Sequence, residues 1–266
     1  VKFFDGLRSI TGPKDDANLL RFLVAVLSSR LAKYIAFHAG SNFGIGRDQF
    51  HVYESLSLPF FLPDHELATS HAEEIIRECS GIVKGVEENG VHMSPLNRQT
   101  FFQESIGQLE PLVEAYYAVS NSERILIEDT LAISQPSIHR SNLDATIPSL
   151  VFPDAADRKS YADLLCDVLN RRSRKDGIKI RAEGQVSKSL NLILLTVVFG
   201  NTTAPYEEKV GEAELWHSLD RINTAAKRSN RSFNYLRGFS FFAGDRLYSV
   251  KPATMRNWSR TAALND

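Results

Sequence analysis

Residues 178–199 are IKIRAEGQVSKSLNLILLTVVF. They read as two strands, Ile178 to Gln185 and Leu190 to Phe199, joined by a Ser-Lys turn. Working outward in the C-terminal direction, a helix is expected from about Gly211 to Lys227. Tyr235 to Phe242 and Arg246 to Val250 then form a hairpin around Ala243-Gly244-Asp245. In the other direction, Asp154 is placed to cap a helix whose Tyr161, Leu164, Leu165, Val168 and Leu169 share one face, with Gly177 beyond its end. The strands make the expected fold α+β: a largely helical N-terminal unit, then a mixed α/β unit with a β-hairpin.

The N-terminal unit, residues 1–135, is expected to be mostly helical. Asp15 and Asp16 can cap a helix through Leu19, Leu20, Phe22, Leu23, Val26, Leu27, Leu31, Tyr34 and Ile35, stopped at Gly40. Its apolar residues fall nearly all round, which predicts burial. Phe50 to Leu58 alternates as a strand ended by Pro59, and Asp64 opens a helix with Ile75, Ile76, Ile82 and Val83 that fades at Gly90. Gln99 to Val119 is helical with Pro111 as an awkward interior residue, and Ser120 with Glu123 spells a capping box for a short helix ending near Leu131. The Ser-, Pro- and Asn-rich stretch that follows makes residues 136–153 the expected linker to a second unit, 154–266.

The chain has 266 residues and a net charge of -1. Its longest apolar run, Phe22 to Leu27, is far too short to span a bilayer, and no signal-peptide layout precedes it, so a cytoplasmic protein is expected. Cys79 and Cys166 form no C-x-x-C pair, and both are expected to be buried thiols. The first residue is Val1, and a capped helix starts at Ser259 just before Asp266, so both ends are expected to continue in something longer. Charge is unevenly spread. Phe61 to Gln135 holds thirteen acids against four bases, whereas Arg221 to Arg260 holds nine bases against one acid, Asp245. A local basic run of that kind suits nucleic acid, and equally a solvated face.

Motifs for catalysis are mostly missing. His65-Glu66 has no second His at zincin spacing, and no G-x-S-x-G elbow or Walker loop occurs. Asp154 with Glu183 and Lys188 loosely resembles a nuclease set, but Glu183 and Lys188 are five apart where a strand needs two. Gly44-Ile45-Gly46 follows a helix and precedes a strand, the reverse of a cofactor loop. No catalytic residue, metal ligand or cofactor is therefore expected within this chain.

The continuous piece from Leu19 to Phe60 carries LLRFLVAVLSSRL, a SNFGIGR loop and then SLSLPF. That order resembles the specificity region of restriction-modification adenine-N6 DNA methyltransferases: a leucine-rich helix with a small-polar-x-Leu signature, a glycine-containing loop, a short strand and a Leu-Pro step. The signature falls on Ser28, Ser29, Arg30 and Leu31, with Ser28 where the family commonly has Asn, and the Leu-Pro step is Leu58-Pro59. GDRLYSVKP at 244–252 and NWSRTAALND at 257–266 look like the carboxy-terminal region of large methylases from the same bacterial defence systems. The helix from Asp64 also resembles the one that follows the Leu-Pro step in these proteins, and with it the matches cover about a third of the chain. The family's adenine-holding Asn/Asp-Pro-Pro-aromatic motif is absent, since no Pro-Pro pair occurs. The resemblance thus implies a DNA-recognition fragment without its catalytic domain. It also implies an N-terminal methyltransferase domain in the same parent chain, S-adenosylmethionine bound in that domain, and a restriction subunit as a further partner.

Double-stranded DNA is the partner that follows, and its recognition needs cations for phosphates and forked or amide side chains for base edges. Ser41, Asn42, Arg47 and Gln49 supply such groups in the glycine-containing loop. Arg171, Arg172, Arg174 and Lys175 end a helix, where the helix dipole also favours them. Arg228, Arg231 and Arg237 extend the basic character toward the hairpin, and Lys251, Arg256, Trp258 and Arg260 mix cations with an aromatic ring that burial against the hairpin would also explain. The alternatives are a protein-interaction module docking its acidic helices, 61–135, on a methylase or nuclease subunit, and a hydrolase, which paired carboxylates in a polar pocket would favour.

Overall fold

The computed structural model describes residues 12–40, 69–89, 93–138, 146–173, 177–200, 206–228, 238–243 and 245–266. The chain divides into two compact units, Val1–Leu131 and Ala132–Asp266. The fold is α+β, with helices in the first unit and a sheet in the second.

In the first unit the expected single helix is two, α1 (Ala17–Ser28) and α2 (Arg30–Ala39). Ser29 is extended at ψ 159°, and its hydroxyl accepts from the Ala32 amide at 3.1 Å while donating to the Val26 carbonyl at 2.6 Å. One side chain thus ends one helix and caps the next, which the unbroken apolar pattern conceals. Burial is one-sided rather than all round: Phe22 and Val26 are buried and Val24 is exposed. The helix expected from Asp64 is described as α3 (Thr69–Asn89), and α4 (Pro95–Tyr116) runs through Pro111 without dividing.

Phe22, Ala25 and Val26 of α1 meet Ala72, Ile75 and Cys79 of α3 and Leu109, Val113 and Tyr116 of α4. Each set recurs at three- or four-residue spacing, the signature of one helical face turned inward. The Phe22 and Tyr116 rings meet edge to face at 5.0 Å. Next comes α5 (Asn121–Asp129), opened by the expected Ser120/Glu123 capping box with both reciprocal bonds present. A π-helical stretch, Thr130–Ser134, leads to a last turn, α6 (Gln135–Ile138). Helical backbone therefore runs three residues into the expected linker, and the division between units comes earlier, after Leu131.

The second unit opens with α7 (Ala155–Arg172), capped reciprocally by Asp154 and Asp157. Two strands follow as expected, β1 (Lys179–Ser187) and β2 (Leu192–Gly200), joined by a turn in which Asn191 adopts φ 50°. β3 (Glu207–Val210) is an element that three charged residues in four give no cause to expect, and α8 (Glu212–Arg228) follows it. The expected hairpin is β4 (Phe239–Ala243) with β5 (Arg246–Pro252), and the end is α9 (Met255–Trp258) and α10 (Arg260–Asn265), with Ser259 capping α10 as its spacing predicts.

The sheet order is β3-β1-β2-β5-β4, antiparallel except for the parallel β1–β3 pair. Strand alternation gives the sheet two apolar faces. Ile180, Ala182 and Val186 of β1 with Ile193, Leu195 and Val197 of β2 pack on Tyr161, Ala162 and Leu165 of α7, joined by Ala253, Trp258 and Ala263. On the opposite face Leu194 and Val250 pack on Leu215 and Ile222 of α8. Among the described residues no helix is long and apolar enough to cross a membrane.

Candidate nucleic-acid interface

Ser41, Asn42, Arg47 and Gln49, together with Arg174, Lys175, Arg231 and Arg237, lie outside the described residues. So does Leu58-Pro59. Arg228 is the last residue of α8. The remaining candidates are all in the second unit.

Arg171 and Arg172 occupy the last turn of α7, both exposed. Arg171 reaches Asp167 one turn earlier at 2.7 Å. A surface pair of this kind is worth only roughly 0.3–0.5 kcal/mol, so a phosphate can take the guanidinium at little cost. Arg256 is exposed on α9, and Arg260 is half-buried at the first position of α10.

Two of the expected contacts are turned inward instead. Trp258 is 1% exposed, donates from Nε1 to the Pro252 carbonyl at 2.9 Å and stacks obliquely on Tyr161 at 4.8 Å. No face of its ring is open to a base, so Trp258 is a core residue and not a stacking platform. The Lys251 side chain is 14% exposed, donates to the Tyr161 hydroxyl at 2.9 Å and forms an ion pair with Asp266. The ammonium also lies over the Tyr161 ring at 5.1 Å. To reach a phosphate the ammonium would have to leave this partly buried network, so the structure gives Lys251 an internal role in place of the expected DNA contact. Burial, reinforced by the Asp266 carboxylate, pushes the Tyr161 phenol far up, so it stays a neutral donor in this network.

The structure also brings together residues that motif reading passes over. Arg181 on β1 and Arg246 on β5 both pair with Val198 on the strand between them, which places the two guanidinium-bearing positions on one face of the sheet. Thr196 and Tyr248 occupy the next positions on that face. The Arg181 guanidinium contacts Glu183 at 3.0 Å. Alternation within β1 alone shows that Arg181 and Glu183 share a face; only the register with β5 adds Arg246.

Arg158 carries no motif signal either, and it is the most enclosed cation described in the second unit. Its Nε and Nη2 donate to the two Glu208 oxygens at 2.8 and 2.5 Å, and Nη1 donates to the Pro153 carbonyl. Tyr206 adds a hydroxyl donor to Glu208 at 3.1 Å. The Arg158 guanidinium holds the Glu208 carboxyl below the usual range. This cluster ties β3 to α7 and leaves no group over for chemistry.

Paired carboxylates do occur, one turn apart on α4: Glu110 and Glu114 are both buried. Arginines occupy them, however. Arg124 reaches Glu114 at 2.6 Å, and Arg30 lies 3.5 Å from Glu110 and 3.2 Å from Glu128. Among the described residues no His, Cys, Asp and Glu group is arranged to hold a metal ion. The loose nuclease-like set is also dispersed in role: Asp154 caps α7, Glu183 pairs with Arg181, and Lys188 lies in the turn after β1, over the Phe152 ring.

No protein-family model, no curated protein and no solved structure matches this chain.

Proposed function

We propose that this chain binds double-stranded DNA in the cytoplasm and positions it, with sequence selection, for adenine-N6 methylation by a catalytic domain that carries S-adenosylmethionine. The observation supporting this reading is the exposure of charge where the sequence is most basic. In the stretch where nine bases face one acid, Arg221 and Arg256 are exposed and Arg246 is half-buried, while Lys251 pairs its charge with Asp266. Exposed guanidinium groups release counterions from a duplex, which gives affinity that falls steeply with salt. The test is fluorescence anisotropy of the 266-residue chain on duplex DNA across a salt series. Binding whose logarithm falls linearly with the logarithm of salt supports the reading; no binding at low salt overturns it.

A second reading has a specific observation behind it. Leu96 and Phe102 are exposed on α4, within the acidic helices of the first unit. Apolar side chains in that setting suit docking on a methylase or nuclease subunit. Retention of such a subunit by the chain without DNA, abolished on substituting Leu96 and Phe102, distinguishes it from the first.

A further inference from the structure

The chain's two tryptophans both lie in the second unit and are held in opposite ways. Trp258 is core, whereas Trp216 on α8 is 54% exposed. The one polar atom of Trp216 is nevertheless engaged, since Nε1 donates to Glu212 Oε1, one turn earlier, at 3.3 Å. Glu212 is itself held from outside the helix. Its Oε2 accepts the Ser189 hydroxyl at 2.6 Å, and Ser189 lies 3.0 Å from the hydroxyl of Ser187, the buried last residue of β1. A chain of hydrogen bonds thus runs from the sheet to the indole and fixes the ring while more than half of it stays open to solvent.

The neighbours of this ring along α8 are acidic. Residues four apart share a helical face at about 6 Å, which puts Glu212 one turn before Trp216 and Asp220 one turn after it, both exposed. Leu215 is turned the other way and buried against Leu194 of the sheet. The cations nearby in sequence lie elsewhere: Arg221 sits about 140° round the helix from Trp216, and Lys188 lies over the Phe152 ring. The stripe therefore sets an open, fixed aromatic face between two carboxylates. A phosphate backbone is repelled there. A guanidinium fits, since it stacks on an indole face and can donate to either carboxylate, whose oxygens each carry two lone pairs.

We propose that Trp216, flanked by Glu212 and Asp220, anchors a docking site for an arginine-bearing segment of a protein partner. Charge complementarity selects that occupant: the stripe offers an apolar ring beside negative charge, and arginine is the side chain whose planar cation meets both. Fixing the ring before a partner arrives lowers the ordering cost of binding, and tryptophan and arginine are the residue types enriched among the contacts that carry an interface's affinity. The site uses none of the residues assigned to DNA and does not depend on that reading.

The experiment follows the two indole N–H resonances of the isotope-labelled 266-residue chain by NMR as the peptide acetyl-Gly-Arg-Gly-Arg-Gly-amide is added, with Trp216→Phe assigning the peaks. The expected result is a saturable shift of the Trp216 peak with the Trp258 peak unmoved, and no such shift with the same peptide carrying the uncharged citrulline. Asp220→Asn should weaken the affinity roughly two- to five-fold. A Trp216 peak that does not respond, or responds equally to the citrulline peptide, overturns the proposal, as does unchanged affinity in Asp220→Asn. So does a peak that moves with duplex DNA and not with the peptide, or with the concentration of the chain alone, since those outcomes give the ring to nucleic acid or to a second copy. If Trp216→Phe fails to fold, through-bond assignment of the wild-type indole resonances identifies the same peak and the titration decides the matter.

Discussion

Replacing Arg158 by Met tests whether β3 is held by one buried ion pair. The Arg158 side chain is 6% exposed and that of Glu208 18%. Met keeps the apolar stem but removes two charge-assisted bonds to Glu208 and the bond to the Pro153 carbonyl. Glu208 would be left charged and largely buried, with only the Tyr206 hydroxyl for company. Breaking a buried pair from one side costs roughly 3–5 kcal/mol, against about 0–1 kcal/mol for an exposed pair such as Arg171 with Asp167. At roughly 2–4 °C for each kcal/mol, the unfolding midpoint of the second unit should fall on the order of 10 °C. Tryptophan fluorescence reads this unit specifically, since Trp216 and Trp258 are the only two in the chain and both lie within it. The double change Arg158→Met with Glu208→Leu removes both charges and should recover most of the stability. Because the folded Glu208 carboxyl is depressed, the contribution of the pair is present above the ordinary glutamate value and disappears as pH falls through the lower folded one. A destabilisation under about 1 kcal/mol for Arg158→Met, with no recovery in the double variant, would refute a buried pair.

Gly184→Ala should destabilise the same unit by roughly 1–3 kcal/mol, because a methyl group there meets the Tyr206 ring at 2.9 Å and must push its hydroxyl off Glu208; a shortened Tyr206→Leu background should relieve the effect in urea unfolding. Lys251→Met should lower stability while leaving the salt slope of DNA binding unchanged, whereas Arg171→Gln with Arg172→Gln should do the reverse and flatten the slope by about 0.9 for each phosphate no longer neutralised. Ser120→Ala should cost about 1 kcal/mol in the first unit by removing half of a capping box, measurable by urea titration followed by circular dichroism.

What the sequence discloses about this fold depends on how far apart the causes lie. The Ser120–Glu123 and Asp154–Asp157 capping boxes are legible because donor and acceptor are three residues apart and need no other element. The β1 and β2 strands are legible for a similar reason, each carrying its own apolar pattern. The break at Ser29 is not, because the apolar pattern continues across it and part of what holds it is Glu110, eighty residues on. β3 is hidden too: Glu207, Glu208 and Lys209 have no strand preference, and the segment is a strand because Arg158, fifty residues earlier, and the β1 edge hold it. At the candidate interface the limit is different in kind. Lys251, Arg256, Trp258 and Arg260 offer the same mixture of cation and ring whether they face a partner or one another, and only the fold shows that Lys251 and Trp258 meet Tyr161 inside.

That distinction bears on how a basic stretch should be weighed. A guanidinium or ammonium group answers to whichever negative charge it reaches at the smallest desolvation cost, and inside a unit that charge is often its own. Arg158 and Lys251 are bound to Glu208 and Asp266, so neither contributes to a surface field, although both count as bases in the sequence. Arg172, Arg221 and Arg256 keep their exposure, and Arg171 gives up only a solvated pair. The electrostatic case for DNA therefore rests on these surface arginines and on the Arg181–Arg246 face of the sheet, where only strand register joins two positions 65 residues apart in sequence. If the salt slope survives removal of the arginines at the end of α7 but falls when Arg246 is replaced by Gln, the duplex sits at the Arg181–Arg246 end of the sheet, beside the part of that face that α8 covers; the opposite result places it at the helix end, and the two surfaces call for different recognition geometries.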